Sequence, residues 1–210
     1  MNERIACGDH YINAEVSKKA NSKLNIVISH GANNDMNYGL LVKLFDKLKV
    51  DYSVIRFNFS YVDEELERDE NTNKMEIEAC INYLGNKGIV LIGKSYGGFL
   101  SAMIASESKL DVLEVIILGY PLHEYDNPRN LNDISYLKNT KIPITFIIGD
   151  KDPNCDLNVF KKVFPEYNPE IIKNSDHSYR SVNEIGNLDD NENKVMSIVS
   201  KELKSIIKPY

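Results

Sequence analysis

Five short apolar runs limit most strongly how this chain can fold: Leu24 to Ser29, Val54 to Phe59, Ile89 to Gly93, Val115 to Tyr120 and Ile144 to Gly149. They are rich in Ile and Val and mostly lack the polar alternation of a strand with one wet face, so they are expected as strands buried on both faces. A sheet covered on both faces is a parallel one, because each parallel connection crosses over the sheet and lays a helix on it. The intervening stretches have the matching helical spacing: Leu41, Leu44, Phe45 and Leu48, then Ile77, Cys80, Ile81 and Leu84, then Leu157, Phe160 and Phe164. A last segment sets Val195, Ile198, Val199, Leu203 and Ile206 on one helical face, with Pro169 to Ile172 as one more short strand before it. His10 to Val16 alternates weakly and is expected as an antiparallel edge strand. The fold class that follows is α/β, a mostly parallel central sheet flanked by helices on both faces.

At 210 residues the chain is long enough for one domain with a sizeable core and short for two, so residues 1–210 are expected as a single domain. Its 42% hydrophobic and 27% charged residues fit a globular chain rather than a membrane-spanning or disordered one. The formal charge of -6 and the want of clustered Lys and Arg argue against a nucleic-acid partner. Met1 to Cys7 holds no apolar run of signal-peptide length, and no segment reaches about 18 consecutive apolar residues, so no membrane partner and a cytoplasmic location are expected. Cys7, Cys80 and Cys155 are too scattered for a disulfide framework or a zinc site and are expected as reduced structural thiols. The acidic run Asp63 to Glu70 reads as a solvated loop or helix start. Pro121 to Lys141 has no clear period; it is expected as a long loop beyond a strand's carboxyl end, where α/β sheets bind ligands, and so as a wall of a substrate site.

The run Ile89 to Ile92 leads straight into Gly93-Lys94-Ser95-Tyr96-Gly97 and then into a helix marked by Phe99, Ala102 and Met103. Gly-x-Ser-x-Gly between a buried strand and a helix is the setting in which a Ser is lifted onto a sharp, strained turn. Ser95 is therefore the candidate nucleophile, and the Tyr96 N–H, at the positive end of the helix, the first oxyanion donor. A Ser hydroxyl is a weak nucleophile, and it needs an imidazole base held in one tautomer by a carboxylate. Two histidines follow Ser95. His177, in Asn174-Ser175-Asp176-His177-Ser178-Tyr179, comes after the last expected strand and is taken as the base. His123 precedes the strand that should carry the acid and is assigned to the pocket wall or a loop cap, and Tyr120 to the pocket wall.

After Ile144 to Gly149 two carboxylates compete, Asp150 and Asp152. Asp152 reaches farther from the strand and is preferred as the acid, Asp150 being read as a turn former and Asp176 as a loop residue. The second oxyanion donor is expected from the Ala32 N–H in Ser29-His30-Gly31-Ala32, with His30 orienting that loop or bordering the pocket. His30 and Asp35 lack a further ligand, and no metal is expected.

Taken together, several segments resemble the small α/β-hydrolases related to dienelactone hydrolase: Ser29-His30-Gly31-Ala32 with Asp35-Met36-Asn37, Arg56-Phe57-Asn58-Phe59, the turn around Ser95, Tyr120-Pro121-Leu122-His123, Gly149-Asp150-Lys151-Asp152 and Asp176-His177-Ser178. They look most like the testis-expressed hydrolase-like proteins and the hydrolase-like domain of a non-specific-lethal chromatin complex subunit. The resemblance covers nearly the whole chain. It implies the α/β-hydrolase fold with no large cap domain, Ser95 as nucleophile, Asp152 as acid, His177 as base, and Ala32 and Tyr96 as oxyanion donors. The expected function is a serine hydrolase, carboxylesterase- or thioesterase-like, cleaving a small ester, thioester or related acyl bond through an acyl-enzyme on Ser95. Its partner is then a small acyl substrate, and no cofactor is required. The other class is a catalytically weak binding or scaffold protein that keeps the same fold, since fold alone does not establish activity.

Overall fold

The unalternating runs become the middle of an eight-stranded sheet. A computed structural model describes residues 2–64, 67–107, 110–182 and 188–207. In chain order the strands are β1 (Asn2–Cys7), β2 (His10–Ser17), β3 (Asn25–Ser29), β4 (Ser53–Phe57), β5 (Ile89–Lys94), β6 (Val112–Leu118), β7 (His123–Glu124), β8 (Asn127–Leu131), β9 (Ile144–Gly149) and β10 (Glu170–Ile172). The helices are α1 (Gly39–Leu48), α2 (Ser60–Asp63), α3 (Glu70–Leu84), α4 (Tyr96–Glu107), α5 (Leu157–Val163) and α6 (Leu188–Ile206), with a 3₁₀ turn over Ser135–Asn139. The sheet order is β1-β2-β4-β3-β5-β6-β9-β10, parallel from β4 to β10 and antiparallel at the β1–β2 and β2–β4 pairs.

The period of two along each strand divides the core into two layers. Val27, Ile55, Leu91, Ile117 and Ile148 face the side covered by α3, α4 and α5, where they meet Ile77, Ile81, Leu100 and Phe160. Ile26, Val54, Ile92, Ile116 and Ile147 face the other side, against Leu41, Phe45, Val195, Val199 and Leu203 of α1 and α6. Both faces are apolar, which is why the sequence shows no alternation. Complete burial of each such side chain is worth about 1.5–3 kcal/mol. Among the described residues, no helix is long and apolar enough to cross a membrane. Cys7, Cys80 and Cys155 are all free and buried.

Two expectations are corrected. The segment from His10 is antiparallel but is not the edge, because β1 pairs along its outer side. Asn2, Glu3 and Arg4 hid β1 from hydropathy, whereas Ile5 and Cys7 alternate inward behind the tight turn at Gly8 and Asp9. Pro121 to Lys141 is not an unstructured loop, since it holds the β7–β8 hairpin and the 3₁₀ turn. Every residue of β8 is exposed, so no buried face marked it in the sequence. In the acidic run, Asp69 caps α3 by accepting from the Thr72 N–H and Asp63 accepts from Asn13 and Asn58, while Glu65 and Leu66 lie outside the described residues.

Candidate functional site

The turn between β5 and α4 places Ser95 at φ 50°, a left-handed conformation that a residue with a Cβ adopts only when its surroundings impose it. Those surroundings are explicit. The Ser95 N–H donates to Leu118 O at 3.0 Å, and its carbonyl accepts from the Phe99 N–H at 2.9 Å, the first bond of α4. A Cβ on Gly97 would fall 2.5 Å from Ser29 Oγ and 2.7 Å from His30 O, so only glycine lets α4 approach the end of β3 this closely. Tyr96 opens α4, where an N–H has no acceptor one turn back. Ser95 Oγ makes no hydrogen bond among the described residues and stands half-buried on a cavity wall.

Beyond β9 and β10 two turns face each other. Of the two competing carboxylates, Asp152 meets His177, with Asp152 Oδ2 2.7 Å from His177 Nδ1. Asp150 instead accepts from the Ser175 N–H at 3.2 Å, and Lys151 N–H donates to Ser175 O at 2.9 Å, which fastens the histidine turn to the end of β9. Asp176 accepts from the N–H groups of Ser178 and Arg180 and shapes its own turn. The Asp152 side chain is fully shielded, whereas that of His177 is 21% exposed, so the imidazole keeps an open edge. Burial, and next to it the Lys94 ammonium, hold His177 below the usual histidine range against the opposing pull of Asp152 and Asp176.

The loop after β3 approaches the same turn. A Cβ on Gly31 would lie in ordinary contact, 3.5 Å, with Ser95 Cβ, and Ala32 and Ser95 border one cavity. His30 Nε2 accepts from the Phe59 N–H at 3.1 Å, which leaves its Nδ1–H to donate to Gly31 O at 2.8 Å. Arg56 donates to Met36 O and to Asn37 Oδ1, and Met36 N–H donates to Asn58 Oδ1, so the Arg-Phe-Asn-Phe segment clamps the rest of the loop. His30→Leu is expected to leave the Phe59 N–H and Gly31 O buried without partners and to lower the unfolding free energy by about 2 kcal/mol, read as an earlier urea midpoint.

None of His30, Tyr120 and His123 borders the cavity at Ser95, and all three are buried. The bonds of His30 and His123 fit the loop-orienting and loop-capping roles expected of them as alternatives to the pocket wall. His30 is consumed by its two hydrogen bonds. Tyr120 shares a 2.7 Å bond with Tyr136 Oη and packs edge-on against Phe146 in the core. His123 accepts from the Asp156 N–H through Nε2 and bonds Glu124 O through Nδ1, bracing the Asp152 turn from its far side. There it borders a different and larger cavity, about 590 Å³, that does not include Ser95.

The cavity at Ser95 measures about 340 Å³. Tyr96, Phe99, Met103 and Pro121 make its apolar wall, and Arg68, Glu70 and Asp133 stand around it. The side of Pro121 to Lys141 that borders it is thus Pro121, Asn132 and Asp133. Sequence reasoning missed Asn73 and Glu76, which support Tyr96 from below. Tyr96 Oη donates to Asn73 Oδ1 at 3.0 Å, and Asn73 Nδ2 donates to the fully buried Glu76 at 2.9 Å. The available signal was two polar residues one helical turn apart on the face of α3 that also carries Ile77 and Cys80. Lys94, at a variable position of the serine motif, is almost wholly buried.

Three solved structures share this architecture along nearly their whole length. An alpha-beta serine hydrolase homologue from Coxiella burnetii superposes with a TM-score of 0.72 at 15% identity, covering 97% of each chain. Est1E from Butyrivibrio proteoclasticus gives 0.72 at 14% identity, over 97% of this chain and 99% of that one. A serine hydrolase without a lid from Xanthomonas campestris gives 0.66 at 13% identity, over 99% and 93%. At such identities the likeness speaks to the fold. The family model described as "Alpha/beta hydrolase domain" matches residues 22–208, nearly the whole chain, and this protein belongs to that family.

Proposed function

We propose that the chain is a serine hydrolase that cleaves a small ester, thioester or related acyl bond through an acyl-enzyme on Ser95. The observation that carries this reading is the 2.7 Å bond from Asp152 to His177, the acid–base pair that a serine on a strained strand-to-helix turn requires, together with Ser95 at φ 50° on such a turn. Ser95 attacks the acyl carbon as His177 Nε2 takes its proton, and Asp152 holds the Nδ1–H tautomer. The N–H groups of Ala32 and Tyr96 receive the developing oxyanion. His177 then returns the proton to the leaving group, and a water repeats the sequence to free the acid. A Ser–His bond that tightens only when substrate arrives is common at such sites.

A cavity of about 340 Å³ with an aromatic wall fits a compact acyl group. Est1E has been solved with ferulic acid bound, so a ferulate ester belongs in the substrate panel beside short-chain esters and thioesters. The likeness to the testis-expressed hydrolase-like group, and a cytoplasmic location, belong to the same proposal. The test is labelling of the folded protein with a fluorophosphonate, locating the adduct by mass spectrometry with Ser95→Ala as control. A single adduct on Ser95 is expected. A folded protein that takes no label overturns the reading in favour of a binding protein on a hydrolase scaffold.

A further inference from the structure

Lys94 ends β5 on the same face of the sheet as Val90 and Ile92, and its side chain is carried to the sheet's carboxyl edge with only 2% of the residue exposed. Among the described residues, no carboxylate lies within ion-pair distance of its ammonium. What lies there is Gly119. A Cβ on Gly119 would stand 3.0 Å from Lys94 Nζ and 3.2 Å from His177 Nδ1, so both nitrogens border the space that a side chain at Gly119 would fill. Gly119 also has φ 67°, so both its conformation and the gap it leaves call for the absence of a side chain.

The groups that face His177 come from every side. Asp152 reaches it from the turn after β9, Asp176 from its own turn, and Lys94 from β5. Tyr38, ahead of α1, donates to Ser178 O, and Tyr179 donates to Ile147 O, and burial raises both phenols so that they stay neutral. Two carboxylates and one ammonium therefore set the local field. Uncompensated, two carboxylates would favour the imidazolium, which has no lone pair with which to accept the Ser95 proton.

We propose that Lys94 is a positioning residue for the reaction, a buried counter-charge that offsets one of the two carboxylates and keeps His177 in its neutral, proton-accepting form. The inference rests on the serine hydrolase reading for its functional consequence. Burial pushes the Lys94 ammonium down to about 8, with Asp152 and Asp176 opposing, so the charge is carried on the acid side of that value, where an imidazole would otherwise take up a proton. A purely structural ammonium would instead be expected in a direct salt bridge.

The experiment follows the ring protons of His177 by NMR against pH in wild type, Lys94→Met and Lys94→Arg, the signals being assigned by comparison with His177→Asn. Wild-type His177 is expected to titrate below about 6.5, Lys94→Met to move that midpoint up by about one pH unit, and Lys94→Arg to hold it near wild type. That Lys94→Met is folded is checked by its thermal melt, an apolar side chain of similar length taking the place of the buried ammonium. The acid limb of the fluorophosphonate labelling rate is expected to shift upward with the midpoint. A wild-type midpoint above 6.5 overturns the proposal with no variant needed, and so does an unchanged midpoint in a folded Lys94→Met. If the NMR shift appears while Ser95 takes no label, the counter-charge stands and the hydrolase reading fails; the reverse pattern separates them the other way.

Discussion

Ser95→Ala is expected to lower kcat for a small activated ester such as p-nitrophenyl acetate by about 10⁵-fold, with the fold intact. The loss is large because the nucleophile has no substitute. Among the described residues the polar side chains on the cavity wall around it are Arg68, Glu70, Asn132 and Asp133, none of which carries a hydroxyl or thiol, and Tyr96, whose hydroxyl donates to Asn73. Alanine keeps the Cβ and so keeps the strain of φ 50°. Ser95→Gly removes both the hydroxyl and that strain, and it is expected to be equally inactive while raising the unfolding free energy by about 1 kcal/mol. Stopped-flow ester hydrolysis and urea melts of the two variants check both halves. A Ser95→Gly protein no more stable than Ser95→Ala would mean that the turn stores no strain.

Asp152→Asn is expected to cost about 10⁴-fold in kcat/KM for the same ester, and Asp150→Asn far less. An amide at position 152 can donate to His177 Nδ1, which favours the wrong tautomer and leaves Nε2 protonated and unable to act as a base. Asp152 is also the carboxylate within 2.7 Å of the ring and fully shielded from water, so its field on the imidazole is little screened. Asp150 acts on the backbone instead. Losing its bond to the Ser175 N–H loosens the histidine turn, and the expected signature is a modest fall in kcat accompanied by lower stability. Equal losses from the two variants would remove Asp152 from its proposed role.

The fold was legible because the runs from Leu24 to Gly149 are apolar on both faces, a pattern that water permits only inside a covered parallel sheet. The turns that carry Ser95, Asp152 and His177 were legible for the related reason that each follows such a run or the short strand β10. Contacts made sideways, between segments distant in sequence, were not. Nothing in Ser29-His30-Gly31 announces that the imidazole spends both nitrogens on Phe59 and Gly31. The Tyr120 pairing with Tyr136 depends on the 3₁₀ turn, which has no period to read. Lys94 was invisible because motif reasoning treats its position as free, whereas the backbone puts its side chain under the histidine turn. Glu76 gave no sign of burial because it lies in a helix whose charged and apolar positions are weakly segregated.

The hairpin formed by β7 and β8 has a consequence for how proteins of this kind can diversify. His123 N–H donates to Asn154 O, Asp126 N–H donates to Pro153 O, and the His123 ring accepts from Asp156. The hairpin, which lies between the cavity-lining Pro121 and Asn132 in the chain, is thereby stitched to the turn that presents Asp152. A lineage that lengthens or shortens this hairpin to admit a different substrate pulls directly on Asp152, so the two segments form one heritable unit, altered together or left alone. Variation in specificity then has a freer path through Phe99 and Met103 on α4, which line the cavity from outside the hairpin.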